Sequence, residues 1–210
     1  MGKSRQFSGK VRRANFNRIC GIRLFPFLWV PKFRYSAGVV GYSKRQCEKI
    51  EKPVVSACLS ASGINQKFPR AVVFCHENSG GLGWENMRQI QVYESIKLFL
   101  THMKLDNELS KPMRNSLELE QLRQGKAIPI LEAQQESPQY AEKSWIVNLQ
   151  NLLAEQNMSI KLVDQWLPSI QRKNDKILME ILTENCTNEE QISVNACRLY
   201  LQSNSLADIV

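Results

Sequence analysis

The chain has 210 residues, 43% of them hydrophobic and 23% charged, which allows one full core or two small ones and excludes wholesale disorder. Its formal net charge of +8 is unevenly spread: residues 1–70 hold 15 Lys/Arg against two acids, and the remainder holds 13 against 18. A positive field confined to one end is what a chain that meets a polyanion presents, although a solvated basic tail has the same composition.

Residues 1–26 carry Lys3, Arg5, Lys10, Arg12, Arg13, Arg18 and Arg23 with few apolar residues between them, so a basic disordered arm is expected there. The first 30 residues are Arg-rich and acid-free, a composition that a mitochondrial presequence shares. The apolar run 24–30 is only seven residues long and contains Pro26, far short of a bilayer span, so no membrane partner is expected. Six cysteines lack any CxxC pair, and they read as reduced, mostly buried thiols of an intracellular protein, cytoplasmic or nuclear.

From residue 24 to residue 42 the chain turns aromatic and aliphatic, with Pro26 and Pro31 as breakers. Lys32, Arg34 and Tyr35 sit among Phe27, Trp29 and Phe33. Cations pair with phosphates and bases stack on rings, so this mixture suits a single-stranded or hybrid nucleic acid. A packed loop with snorkelling cations would have the same residues. Ser43 with Gln46 predicts a capping box, and Pro53 should kink or split the helix that follows. Gly63 fits the left-handed residue that ends it.

Residues 71–74 (Ala-Val-Val-Phe) predict a short strand leading into Gly80-Gly81-Leu82-Gly83. That turn has neither GxGxxG spacing nor a following Lys-Ser/Thr, so glycines permitting a close backbone approach are the better reading than a phosphate loop. Beyond Trp84 the pattern is helical. Val92, Tyr93, Ile96, Phe99, Leu100 and Met103 form one stripe, and residues 108–124 form another helix stopped by Gly125. Ser137-Pro138 predicts the next helix start, residues 159–167 an extended segment, and residues 174–184 a further helix. Thr187 with Glu190 predicts a final capping box. The fold class is therefore mostly α: a helical, bundle-like C-terminal part and a small strand- and loop-rich basic N-terminal part.

Chemistry is sparse. Cys75-His76 are neighbours and would point apart on a strand, with no second pair at zinc spacing. Only four aspartates occur, Asp106, Asp164, Asp175 and Asp208, with no adjacent pair to clamp two metal ions. No catalytic residue, metal or cofactor is expected.

Three segments carry a likeness in a set order: Val30-Pro31-Lys32-Phe33-Arg34-Tyr35; Gly63-Ile64-Asn65 with Phe68-Pro69-Arg70-Ala71-Val72-Val73; and Gly80-Gly81-Leu82-Gly83. The series resembles the region just after the catalytic palm in reverse transcriptases of non-LTR (LINE-like) retrotransposons. Trp145, Arg172-Lys173-Asn174-Asp175, residues 195–201 and residues 206–209 are similar to the C-terminal part of such polyproteins. The resemblance implies a basic thumb-like region over 27–83 and a helical C-terminal region over 84–210. It also implies that the polymerase's paired aspartates lie upstream of residue 1, in a palm absent from this chain. RNA or an RNA–DNA hybrid is then the expected partner. Lys32, Arg34, Tyr35, Lys67 and Arg70 are the candidate contacts, and Gly80, Gly81 and Gly83 a structural turn. The alternative is a small helical protein-interaction module whose basic arm has no nucleic-acid role.

Overall fold

The computed structural model describes residues 2–105, 107–170 and 172–209. The fold is mostly helical, as expected, and among the described residues there is no strand, only an isolated antiparallel bridge between Ile177 and Ser205. The chain divides into two compact units, Met1–Leu98 and Phe99–Val210. The division falls fifteen residues beyond the glycine turn where the sequence places it.

In the first unit the expected disordered arm is instead helix α1 (Gly2–Arg13), packed along α4 (Lys44–Ala61). Its inner face is Ser4, Ser8 and Val11, small residues at i, i+4 and i+7 that allow close helix approach without a greasy stripe. Ser8 Oγ donates to the Ser4 carbonyl (2.8 Å), so the buried hydroxyl is satisfied within the helix.

Helix α2 (Arg18–Leu24) runs through one π-helical turn (Phe25–Trp29) into α3 (Val30–Ala37) without a break. Pro26 and Pro31 each remove a helical N–H donor, and the widened turn absorbs the loss, with Val30 N–H donating to the Phe25 carbonyl five residues back. The prolines thus shape a helix rather than a loop. Asn17 starts it, its Oδ1 accepting from Cys20 N–H at 2.8 Å. At Gly21 an added Cβ would lie 2.5 Å from the Ala61 carbonyl oxygen, which marks where α2 crosses the end of α4.

The Ser43–Gln46 capping box opens α4 as expected. Pro53 neither splits nor ends it, and Gly63 (φ +69°) closes it. Val54, Val55, Ala57, Cys58 and Leu59 of α4 join Phe25, Trp29, Val30 and Phe33 in one apolar core. Each large apolar side chain buried there contributes about 2 kcal/mol. Trp84 completes this core, stacked on Phe25 with ring centroids 4.7 Å apart.

Residues 71–74 form no strand; they belong to a short helix, α5 (Arg70–Phe74), with Pro69 at its N-cap. A four-residue apolar run is compatible with either state, and here a single turn suffices to bury Val73. Helix α6 (Met87–Leu105) follows, buried through Met87, Ile90, Gln91, Val92, Ser95 and Phe99. Tyr93 and Leu100 of the expected stripe are exposed, because the covered face runs through the polar Gln91 and Ser95 instead.

The second unit contains α7 (Ser110–Gln124), α8 (Trp145–Glu155), α9 (Leu178–Asn185) and α10 (Asn188–Leu201). Helix α8 starts at Trp145, capped by Ser144 Oγ, because Ser137 is taken by Asn151: Ser137 N–H donates to Asn151 Oδ1 at 2.7 Å. Helix α9 starts four residues later than expected, since Ile177 is held in the bridge to Ser205. Its core mixes Leu117, Ile146, Leu149, Leu152 and Leu153 with buried Gln121, Gln124, Gln150 and Arg198. Arg198, 2% exposed, donates Nη2 to the carbonyls of Leu122 (2.8 Å) and Arg123 (2.9 Å). Its Nη1 reaches Asn204 Oδ1 (2.8 Å) and its Nε reaches Asn195 Oδ1 (3.1 Å). A cation thereby closes the C-terminal end of α7, where the helix dipole is negative. Burial lowers the guanidinium's pKa, with the neighbouring Tyr140 countering.

Candidate nucleic-acid interface

Charge follows the division of the chain. The first unit holds 17 Lys/Arg against five acids, and the second holds 11 against 15. Before Glu48 there is no acid at all. Lys3, Arg5, Lys10, Arg12 and Arg13 on α1, with Arg18, Arg23 and Lys32 on the continuous helix, are all exposed.

The sequence-derived contacts do not share one environment. Lys32 projects from α3 with its Nζ 5.4 Å from the centre of the Phe7 ring. Arg34 is committed to acids, with Nη2 at 2.6 and 2.8 Å from the two Glu85 carboxylate oxygens and Nε 3.7 Å from Glu94. Tyr35 is 92% exposed. Lys67 is exposed in the loop after α4, where its backbone N–H donates to Asn65 Oδ1.

Arg70 begins α5 half-buried, and its Nη1 has no hydrogen-bond acceptor among the described residues. Burial lowers its pKa and the Glu51 carboxylate counters. Glu51 itself is pushed above the ordinary carboxylate value by burial, although its Oε2 accepts the Met87 N–H (3.0 Å) at the start of α6. Lys32 and Tyr35 are therefore open to a ligand, whereas Arg34 and Arg70 already have acidic neighbours.

The glycine turn has no donors to spare. Gly80 N–H donates to the Glu77 carbonyl, Gly81 to His76, Leu82 to Val72, Gly83 to Cys75 and Trp84 to Val73, at 2.9–3.3 Å. A phosphate cradle needs such N–H groups free and convergent. Gly80 (φ +79°) and Gly83 (φ +63°) take left-handed backbone, and a Cβ on Gly81 would overlap the Cys75 carbonyl. The turn folds back on the 72–77 backbone and sets Trp84 into the core.

His76 Nδ1 accepts from Asn78 N–H (3.2 Å), which makes it the cap of a short 3₁₀ turn (Glu77–Ser79). Cys47 and Cys58 are buried, and burial pushes the Cys58 thiol up to about 12; Cys20 and Cys197 are exposed, contrary to the expectation of mostly buried thiols. Asp175 and Asp208 come together around Ser205, each spent on backbone N–H groups: Lys176 and Ala207 for Asp175, Asn204 and Ser205 for Asp208. Asp106 lies outside the described residues. Among the described residues no three His, Cys, Asp or Glu side chains gather as a metal site. No described helix is long and apolar enough to cross a membrane.

Sequence reasoning passed over one row. Ile19, Arg23, Phe27, Pro31 and Tyr35 recur every fourth residue along residues 18–37, and all five are exposed. The four-residue period was readable, but only to a reader willing to run a helix through two prolines.

No protein-family profile, curated protein or solved structure matches the chain.

Proposed function

We propose that this chain is a non-catalytic, reverse-transcriptase-like nucleic-acid-binding protein, corresponding to the region that follows the catalytic palm in retroelement polymerases. The observation that carries the reading is the segregation of charge: a compact unit with 17 Lys/Arg and five acids, whose first 47 residues are free of acids. Such a unit attracts phosphates and gains affinity by releasing their counterions. The ordered series from Val30 to Gly83 supplies the choice of polymerase family over other basic helical proteins. RNA or an RNA–DNA hybrid is the partner, and α1 with α3 supplies the cations.

A gel shift of the full chain on an RNA–DNA hybrid, from 50 to 200 mM salt, tests this. Binding at low salt that weakens by about tenfold or more across that range is expected for several phosphate contacts. Absence of binding at the lowest salt would leave the helical interaction module as the better reading. Primer extension by the isolated chain would overturn the non-catalytic part.

A further inference from the structure

We infer that the outer ridge of the helix spanning residues 18–37 is a base-stacking platform that makes the first unit prefer single-stranded nucleic acid to a duplex. This rests on the nucleic-acid reading above and goes beyond it. Apolar residues this exposed on a well-packed unit call for an explanation: Phe27 is 70% exposed, Tyr35 92% and Ile19 66%. They are not strays. They lie in register every fourth residue, with Arg23 between Ile19 and Phe27, and Pro31 with Lys32 between Phe27 and Tyr35.

Two aromatic rings eight residues apart stand about 12 Å from each other along the helix. A strand with splayed bases can lay one base on each ring while its phosphates meet Lys32 between the rings and Arg23 before Phe27. In a duplex the bases already stack on each other, so these rings gain nothing and only the phosphate term remains.

The same ridge of a second copy is a poor occupant, since both would bring the exposed cations Arg23 and Lys32 to the contact. The ridge owes its geometry to the π turn. Trp29, Val30 and Phe33 point into the core, and the same helix turns Phe27 and Tyr35 outward.

The test is fluorescence anisotropy of the full chain with labelled oligo(dT) and with a duplex of the same length, at low salt and at 200 mM. The single strand should bind more tightly, and the margin should widen with salt, because stacking is not screened as phosphate contacts are. Phe27→Ala and Tyr35→Ala should each weaken single-strand binding about tenfold and duplex binding by much less, so that the single-strand preference shrinks. Circular dichroism of both variants should match the parent, since neither side chain is buried. Equal affinity for the two forms, or variants without effect on the single strand, overturns the platform and leaves the general nucleic-acid reading standing. Absence of binding to either form at low salt overturns both.

Discussion

The two units of this chain reach stable helical packing by different means. The first is held by an apolar core of Phe25, Trp29, Phe33, Leu59 and Trp84, and none of its cations is fully buried. The second brings polar groups inside and satisfies them: Gln121 donates to the Lys126 and Ile128 carbonyls, Gln124 pairs with Gln150, and Arg198 closes a helix end. An apolar core tolerates loss of any one contact by degrees, whereas a buried polar network fails abruptly when a member is removed. The contrast also bears on function. The proposed nucleic-acid role draws on the same contrast: the first unit keeps its 17 cations at or near its surface, whereas the second folds Arg198 into its core.

The sharpest way to break this contrast is Arg198→Met, which keeps an unbranched apolar stem and removes the guanidinium's donors. The Leu122 and Arg123 carbonyls and the Asn195 and Asn204 side chains would lose their partner, at a cost of about 3 kcal/mol or more. Hydrogen exchange should show protection falling in residues 99–210 and holding in residues 2–98. Uniform loss across the chain would show that the units are not independent in stability.

Next comes a pair within the glycine turn. Gly81→Ala drives a methyl group into the Cys75 carbonyl and should cost about 3 kcal/mol, read as a drop in the urea midpoint of the first unit. Gly80→Ala meets open space and suffers only its left-handed backbone, about 1 kcal/mol. Equal effects would show that close approach is not what Gly81 provides.

The smallest expected effect is in pH, where the units should move in opposite directions. Burial raises the Glu51 pKa, so the folded first unit holds that proton more tightly than the unfolded chain does. Its contribution is fully present below the ordinary carboxylate value and is lost as pH rises through the raised one. In the second unit, Glu190 is lowered by the Thr187 N–H and hydroxyl, and Asp208 by the Ser205 and Asn204 N–H groups. Their stabilisation is present above the ordinary value and is lost as pH falls through the depressed ones. Acidification from pH 7 to about 3.5 should relatively strengthen the first unit and weaken the second, and Glu51→Gln should abolish the first change. Parallel responses in hydrogen exchange would sink this assignment.

What the sequence made legible follows from which forces act locally. The caps at Ser43, Gly63, Gly125 and Thr187 are read from neighbouring residues, and each is where expected. Helix α1 was hidden because Ser4 and Ser8 pack by smallness and carry no hydrophobic signal. Pro26 and Pro31 read as breakers, since a π turn depends on the helix continuing on both sides. Ser137-Pro138 is a sound helix start that loses to Ser144 because Asn151 claims Ser137 from a distance. The site fared similarly. Arg34 and Arg70 were chosen by charge, and their acidic neighbours, Glu85 and Glu51, lie 51 and 19 positions away. Tyr35 is legible in composition, while the outward placing of Phe27 depends on which way a proline-bearing helix turns.

The reach of Arg198 has a consequence for how the second unit comes into being. Helix α7 ends at Gln124, yet the guanidinium that closes it arrives more than seventy positions later. As the chain emerges from a ribosome, α7 and α8 can form and meet early, but the Leu122 and Arg123 carbonyls stay open to water until Arg198 itself has been made. Such a long-range contact delays cooperative folding of the second unit until residue 198 has emerged. A premature stop before residue 198 should therefore yield a chain with one finished unit and one that protease clears.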